Sequence, residues 1–277
     1  MALMTVDGEL CTRCGICTAV CTANIIESGV ESGDEIQIPR ASEERAGFCF
    51  GCGHCEAFCP SQALTLNIRP DERIKLPQSA GKISTEDIGW YLQKRRSVRR
   101  FTDEPVSKEM ILKILDIARY APSGSNGQPV SWLVVHDPKQ VKKIAEIVIE
   151  YMKSLANTDH PLKGYLPMLI SAWDRGEDII CRGAPHLLFA IIPEGNPIAP
   201  IDAIIALTHF DIAAPAFGVG TCWAGFLAMA ADAYQPLQEE LCIPSGKKSA
   251  YAMMFGHPRY KTYGIPRRNP LQLTWLE

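Results

Sequence analysis

Two segments with a helical spacing of apolar residues each follow a possible capping residue. Ser84 or Thr85 precedes a segment that carries Ile88 and Leu92, and Ser107 precedes an apolar stripe from Met110 to Ala118. The oxygen of such a side chain accepts a hydrogen bond from a first-turn amide, so we expect both segments to be helices. The spacing predicts a third, amphipathic helix over residues 141–155 and a largely buried helix over 201–217.

Shorter apolar segments are typical of strands. Residues 63–68 alternate between apolar and polar, and residues 130–136, 186–192 and 250–255 are short apolar segments. Between the first strand and the first helix lies a stretch with two prolines, a glycine and many charges, which indicates a linker. The sequence therefore predicts a small domain over residues 1–69, a linker over 70–82 and an α+β domain over 83–277.

Composition narrows the class of protein. The 277 residues are 47% hydrophobic and 21% charged, with a net charge of -3, so we expect no nucleic-acid partner. The first ten residues do not form a secretory signal, and polar residues and Pro215 interrupt the apolar stretch over 199–231. These features predict a cytoplasmic protein without a membrane partner.

Cysteines are concentrated at the N-terminus. Eight of the eleven follow the pattern C-x2-C-x2-C-x3-C twice, with an offset of 38 residues, which is an internal repeat. The other three lie in apolar surroundings that predict burial. The repeated cysteines are Cys11, Cys14, Cys17 and Cys21, then Cys49, Cys52, Cys55 and Cys59; the other three are Cys181, Cys222 and Cys242.

The repeat has three alternative interpretations: a disulfide framework, a structural zinc site and iron–sulfur clusters. A disulfide framework is typical of small secreted domains, and a structural zinc site of two separated C-x2-C pairs. Three thiols in one short loop instead suit three corners of a 4Fe-4S cluster, whose fourth corner needs a thiolate from elsewhere. This geometry favours two iron–sulfur clusters.

The repeat resembles that of bacterial two-cluster ferredoxins. The resemblance implies that Cys11, Cys14, Cys17 and Cys59 bind one cluster, and that Cys49, Cys52, Cys55 and Cys21 bind the other. The sequence departs from the family pattern where Thr22 follows Cys21, whereas Pro60 follows Cys59. The 27 residues between Cys21 and Cys49 also predict a long hairpin or loop over 28–45.

A run of arginines follows the first predicted helix. If the chain is extended there, Arg95, Ser97 and Arg99 share one face and present hydrogen-bond donors that suit a phosphate. The alternative is a solvated basic helix end. Two loops, 121–129 and 218–225, are rich in small residues, and the second lacks the third glycine of a dinucleotide-binding fingerprint because Trp223 stands there.

These segments, together with residues 266–271, resemble the FMN enzymes of the nitroreductase family. The resemblance implies an FMN phosphate site, a loop that reaches the flavin from the partner subunit, and a segment that passes the flavin ring. The residues that the resemblance implies at the phosphate are Arg95, Arg96, Ser97, Arg99 and Arg268. Those in the loop from the partner subunit are Pro122, Ser123, Gly124, Asn126 and Gln128. Those at the flavin ring are Trp223, Ala224 and Gly225.

We therefore expect a ferredoxin-like domain with two 4Fe-4S clusters fused to a nitroreductase-like FMN domain in a homodimer, with FMN at the subunit interface. Clusters carry single electrons and a flavin carries pairs, so electrons would pass from the clusters to FMN and on to a small electron-poor acceptor such as a nitroaromatic or a quinone. An external ferredoxin or NAD(P)H would be the donor, in an anaerobe, and no side chain is assigned as catalytic. The alternative is a non-catalytic redox relay for a partner protein.

Overall fold

The computed structural model describes residues 2–27, 37–68, 76, 81, 83–156 and 158–277. The chain divides into two compact units, one of Met1–Gly81 with Ser125–Gly127 and the other of Lys82–Gly124 with Gln128–Glu277. Of the predicted linker 70–82, only Leu76 and Gly81 are among the described residues. Residues 28–36 of the predicted hairpin also lie outside them.

The first unit contains two small antiparallel sheets and two short helices. Its elements are β1 (Met4–Val6), α1 (Ile16–Ala19), β2 (Ile26–Glu27), β3 (Arg40–Ala41), α2 (His54–Ala57) and β4 (Leu64–Leu66). Strand β1 pairs with β4, which is the strand predicted over 63–68, and β2 pairs with β3. The first pairing joins the beginning and the end of this unit.

The internal repeat is visible in the backbone conformation. Within residues 2–27 and 37–68, every residue with a positive φ has a counterpart 38 positions away that also has a positive φ. The pairs are Arg13 (55°) and Gly51 (62°), Gly15 (72°) and Gly53 (74°), and Asn24 (50°) and Gln62 (57°). Left-handed backbone is rare outside glycine, so this agreement shows that both cysteine loops follow the same path.

The second unit is a four-stranded antiparallel sheet between helices. Its elements are α3 (Thr85–Lys94), α4 (Lys108–Ala118), β5 (Ser131–Val135), α5 (Pro138–Leu155), α6 (Leu166–Asp174), β6 (His186–Pro193), α7 (Ala199–Ala213), β7 (Gly220–Trp223), α8 (Gly225–Ala233), α9 (Gln235–Glu240) and β8 (Lys247–Gly256). The predicted caps are confirmed, because Ser84 Oγ accepts from the Asp87 amide and Ser107 Oγ from the Met110 amide. The predicted strands 130–136, 186–192 and 250–255 are β5, β6 and β8.

Strand β6 explains why one segment is apolar throughout. The sheet order is β5-β6-β8-β7, so β6 is a central strand. Leu187, Phe189 and Ile191 pack in the core with α5, α6, α8 and α9, whereas Leu188 and Ala190 pack in the core with α4 and α7. Since side chains alternate across a sheet, a strand between two helical layers needs apolar residues at every position.

Helix α7 differs from the prediction of a largely buried helix. It continues through a 3-10 turn, Ala214–Phe217, and only 44% of its most apolar window is buried. By length and composition Ala199–Phe217 would suffice to cross a membrane, but a helix that packs on a core passes the same test. One face packs on the sheet through Phe210, whereas Ile201 and Ile204 are exposed, so the prediction of burial was wrong for the outer face.

Two stacked histidines join β5, β6 and the segment before α4. The amide of Val106 donates to His186 Nε2 at 2.9 Å, and His186 Nδ1 donates to the carbonyl of His136 at 2.9 Å. In return His136 Nε2 donates to the carbonyl of Val106 at 2.9 Å, and the two rings lie 4.4 Å apart. Burial, with a smaller effect of the charge of His136, lowers the pKa of His186 to about 4.

We predict that this histidine makes the stability of the second unit depend on pH. The pKa of His186 is lower in the folded chain than in the unfolded chain, so the unfolded chain binds the extra proton between about pH 6.5 and about pH 4. The stabilisation is complete above this range and is lost as the pH falls through it, by up to about 3 kcal/mol. Urea unfolding followed by near-ultraviolet circular dichroism at several pH values measures the loss. His186→Gln should flatten the dependence, and an unchanged slope in that variant would contradict the assignment.

Candidate functional site

The eight repeated cysteines line two separate cavities in the first unit. The empty space between the lining atoms, including the part that is open to solvent, is about 340 Å³ in one cavity and about 400 Å³ in the other. Each takes three cysteines from one copy of the repeat and the fourth from the other copy. Cys11, Cys14, Cys17 and Cys59 line the smaller cavity, and Cys21, Cys49, Cys52 and Cys55 line the larger. These are the two sets that the ferredoxin resemblance implied.

The arrangement of the thiols fits clusters better than the two alternatives. All eleven cysteines, each of which is described, are free, so no disulfide framework is present. A structural zinc site would need two separated C-x2-C pairs, whereas each cavity takes three cysteines from one short loop. Burial raises the pKa of Cys17 and takes that of Cys55 to about 11, so a cationic group is needed to hold these sulfurs as thiolates.

In the second unit the arginine run lies along the edge strand β7. The chain leaves α3 at Arg95 in an extended conformation, as predicted, and Ser97 forms a parallel bridge with Thr221. The Val98 amide donates to the Thr221 carbonyl at 2.8 Å. The sheet therefore places the arginine run next to the predicted flavin segment, which lies far away in the sequence.

Glycine 220 serves this contact rather than a ligand. A Cβ atom on Gly220 would lie 2.5 Å from Cγ2 of Val98, so only glycine allows the arginine run to approach β7 so closely. Gly218, with φ at 71°, serves the turn that precedes β7.

Three arginines are gathered without a matching number of acids. Desolvation, then the charges of Arg268 and Arg95, lowers the pKa of Arg96, which places these cations near one another. Nη1 of Arg95 is buried and faces Asp211 Oδ2 at 3.4 Å, and it makes no hydrogen bond within the described part of the chain. Clustered cations fit a bound phosphate, which accepts several charge-assisted hydrogen bonds. The charge that lowers the pKa of Arg96 comes from Arg268 and not from Arg267.

The backbone amides of the predicted flavin segment differ in their partners. Ala224 is buried, and its amide donates to the Ala252 carbonyl at 2.9 Å within the sheet. This amide is therefore used by the sheet. Gly225 begins helix α8, whose first-turn amides lack partners within the helix and favour negative charge.

Loop 121–129 has a fixed conformation. Ser123 Oγ accepts from the Gln128 amide at 3.0 Å, and the Gly124 amide donates to Asp202 Oδ1 at 3.0 Å. Ser125, Asn126 and Gln128 all have positive φ values, near 50°. Such strained backbone persists only where surrounding contacts hold it, and it is frequent in segments that grip a ligand. Pro122 lines a cavity together with Ser123, Gln128 and Asp202, and its empty space, measured as for the cysteine cavities, is about 480 Å³.

Sequence reasoning missed two buried carboxylates on helix α7. Asp202 and Asp211 are each 4% exposed, and each contacts a segment that we had singled out. Asp202 holds loop 121–129, and Asp211 lies between the arginine run and β7. The available signal was an aspartate inside an apolar helical stretch, because a charged side chain is seldom buried without partners. We had used these residues only as evidence against a membrane span.

Comparisons with known proteins agree with the division of the chain into two units. The model described as nitroreductase family matches residues 92–257, and the model described as 4Fe-4S dicluster domain matches residues 10–64. The chain is 30% identical over 180 residues to FMN reductase (NAD(P)H) of Bacillus subtilis, which covers 64% of this chain and 68% of the relative. It is 46% identical over 57 residues to 4-nitrobenzoate reductase of Pseudomonas putida, covering 20% of this chain and 25% of that protein.

The fold of the second unit matches that of solved nitroreductases. A nitroreductase with bound FMN from Desulfitobacterium hafniense aligns with a TM-score of 0.57 at 22% identity, over 70% of this chain and all of that one. The predicted α+β fold and the predicted FMN and 4Fe-4S cofactors are confirmed. Since the family model spans more than half of the 277 residues, the chain belongs to the nitroreductase family, as an FMN-dependent oxidoreductase that carries an N-terminal 4Fe-4S dicluster domain.

Proposed function

We propose that this oxidoreductase uses its two clusters to supply electrons for the reduction of a small electron-poor organic molecule at FMN. When bound, the clusters exchange single electrons and the flavin exchanges pairs, so the two cofactors convert one kind of electron transfer into the other. The observation that carries the proposal is the lining of two cavities by four cysteines each, within a chain of an FMN-dependent family.

We further propose that the arginine cluster holds the phosphate of FMN. Arg95, Arg96 and Arg268 supply planar groups of donors, and Ser97 and Arg99 lie on the extended run along β7. The guanidinium fork donates two parallel hydrogen bonds to phosphate oxygens. Like charges repel, and a bound phosphate would relieve that repulsion. The protein thereby anchors the flavin at the end that takes no part in the reaction.

The remaining predicted residues belong to the ring end of the flavin. Trp223 ends β7 and the first turn of α8 begins at Gly225, where the positive end of a helix favours negative charge on a reduced ring. In this proposal loop 121–129, with Pro122, Ser123, Gly124, Asn126 and Gln128, reaches the flavin of the partner subunit. Its fixed shape means that little conformational entropy is lost on contact.

Exposed apolar residues of the second unit support the proposed homodimer. Ile201 on α7 is 63% exposed, and Leu112 on α4 is 66% exposed. After β8 the chain has no helix or strand, and Leu271 and Trp275 are more than three-quarters exposed. Apolar patches of this kind mark interfaces, and a second copy of the chain would cover them.

The proposed acceptor is a nitroaromatic compound. The support is the relative that reduces 4-nitrobenzoate, while the relative that uses NAD(P)H supports an alternative electron donor beside a ferredoxin. The cluster thiolates need a reducing environment, so the proposal places the protein in the cytoplasm. It also retains domain limits of 1–69 and 83–277, with a linker between them.

We predict that cysteine substitutions lose iron according to the cavities and not according to the repeats. The intact chain should hold about eight irons, and Cys21→Ala should leave about four. Adding Cys49→Ala should leave about four, because both residues line the larger cavity. Adding Cys11→Ala instead should remove nearly all iron, because Cys11 lines the other cavity. Iron analysis of anaerobically purified protein measures this.

The opposite pattern would mean that each repeat binds its own cluster. Cys242→Ala is the matched control, because Cys242 is exposed, contrary to our prediction of burial, and lies in the second unit. It should retain about eight irons.

We predict that Arg268→Ala weakens FMN binding far more than Arg267→Ala. A charge-assisted hydrogen bond is worth about 1.5–3 kcal/mol, so the dissociation constant of FMN should rise about 10- to 100-fold in Arg268→Ala. Riboflavin, which lacks the phosphate, should bind both variants alike. Titration of deflavinated protein with each flavin measures this, and equal losses in the two variants would refute the choice of Arg268.

We predict that Cys11→Ala stops reduction of FMN by a low-potential ferredoxin but not its reduction by NAD(P)H. The substitution removes a ligand from the smaller cavity and leaves the second unit intact. Anaerobic stopped-flow absorbance at the flavin band follows both reactions, with Cys242→Ala as the control. If the ferredoxin still reduces FMN in Cys11→Ala at the rate of the intact chain, the clusters do not feed the flavin.

A second measurement separates catalysis of nitroaromatic reduction from electron storage. The reduced holoprotein should turn over 4-nitrobenzoate at a rate well above that of free FMN. A rate equal to that of free FMN would reject the proposed acceptor while leaving the electron path untouched.

A further inference from the structure

Three donors converge on the buried carboxylate of Asp211. Thr221 Oγ1 donates to Asp211 Oδ1 in a short hydrogen bond, and Trp223 Nε1 donates to Oδ2 at 3.2 Å. Nη1 of Arg95 lies 3.4 Å from the same Oδ2 atom. Asp211 is 4% exposed, so these contacts are made away from solvent.

The charge of this cluster favours a carboxylate. An indole N–H and a guanidinium only donate hydrogen bonds, whereas a threonine hydroxyl can donate or accept. An amide at position 211 would turn its oxygen toward Trp223 and Arg95 and its N–H group toward the Thr221 hydroxyl, but it would remove the negative charge that faces Arg95. A buried carboxylate also needs a cation, which Arg95 supplies. The set is therefore matched in both hydrogen bonding and charge.

The three partners of Asp211 lie in two segments that we assign to FMN. Arg95 belongs to the proposed phosphate site, Trp223 to the segment at the flavin ring, and Thr221 carries the bridge that joins these segments. We propose that Asp211 is a positioning residue, which fixes the Arg95 guanidinium for the FMN phosphate and ties it to Trp223. This inference rests on the proposed phosphate site.

The orientation of Arg95 gives the physical basis. Its side chain is 30% exposed, and the buried Nη1 faces Asp211 without forming a hydrogen bond in the described structure. With this nitrogen directed at the carboxylate, the remaining donors of the planar group are left for an anion. Without the carboxylate, a long arginine side chain would have to lose rotamer freedom when the phosphate binds.

The test compares FMN with riboflavin, which lacks the phosphate. In Asp211→Asn we expect the dissociation constant of FMN to rise about tenfold relative to that of riboflavin, which corresponds to about 1.4 kcal/mol. Both flavins are titrated anaerobically into the full chain, with its clusters in place and its flavin removed. The ratio of the riboflavin constant to the FMN constant should therefore fall about tenfold. An unchanged ratio overturns the inference, because a general loss of structure affects both flavins alike.

Asp202→Asn is the matched control. Asp202 lies on the same helix and is equally buried, but it accepts from the Gly124 amide and contacts no arginine of the cluster. Its substitution should change the binding of both flavins by the same factor. A fall in the ratio equal to that in Asp211→Asn would show that any buried charge on α7 has this effect, which rejects the specific role of Asp211.

Arg95→Ala distinguishes failure of this inference from failure of the phosphate site. If Arg95→Ala leaves the ratio unchanged, the phosphate assignment of Arg95 is wrong. If it lowers the ratio and Asp211→Asn does not, only the positioning role is wrong. When the phosphate assignment of Arg95 and the positioning role of Asp211 are both right, adding Asp211→Asn to Arg95→Ala should lower the ratio no further, since Asp211 acts through Arg95.

A second variant covers the case in which Asp211→Asn does not fold. Combining Asp211→Leu with Thr221→Val and Trp223→Phe removes the acceptor and two donors together, which avoids leaving them buried and unpaired. The binding ratio in this triple variant should fall as in Asp211→Asn. A ratio equal to that of the unmodified chain overturns the inference.

Discussion

A 4Fe-4S cluster has four corners, and a loop with three closely spaced cysteines covers only three of them. In the first unit the cysteines that line the two cavities suit this constraint, because each cavity takes its fourth cysteine from the other copy of the repeat. The pairing of β1 with β4 joins the two ends of the unit. Its helices are short and its strands have two or three residues, and in small units of this kind the free energy of metal binding contributes to folding.

In the second unit the corresponding requirement is that distant segments meet at one edge of a sheet. Strand β7 holds the arginine run through Ser97 and Val98 and continues directly into the flavin segment. Gly220 makes this approach possible, since any side chain there would collide with Val98. The sheet is buried between two helical layers, which gives this edge a rigid support.

The sequence was informative where the pattern is local. Caps at Ser84 and Ser107 and the alternating or continuous apolar strands follow from spacing alone, and the cysteine repeat identifies its chemistry. It was uninformative where a role depends on pairing between distant segments. Strand β7 has four residues, too few for a period, and the use of the Ala224 amide depends on Ala252 in another strand.

The burial of α7 was overestimated for a related reason. An apolar helix surface looks alike whether it faces its own core or a second chain, and Ile201 and Ile204 are on the outer side. Asp202 and Asp211 were recognised only as breaks in an apolar stretch. Their partners come from loop 121–129, from Arg95 and from β7, and no single-chain periodicity links those positions.

Helix α7 carries two anchor points at a fixed separation. Asp211 lies nine positions after Asp202, which corresponds to about 13 Å along a helix axis and about half a turn around it. A helix is stiff over this length, so neither carboxylate can slide along the axis without the other. Any replacement that tilts or shifts α7 therefore disturbs loop 121–129 and the arginine run in the same movement, and the two segments cannot be re-engineered one at a time through this helix.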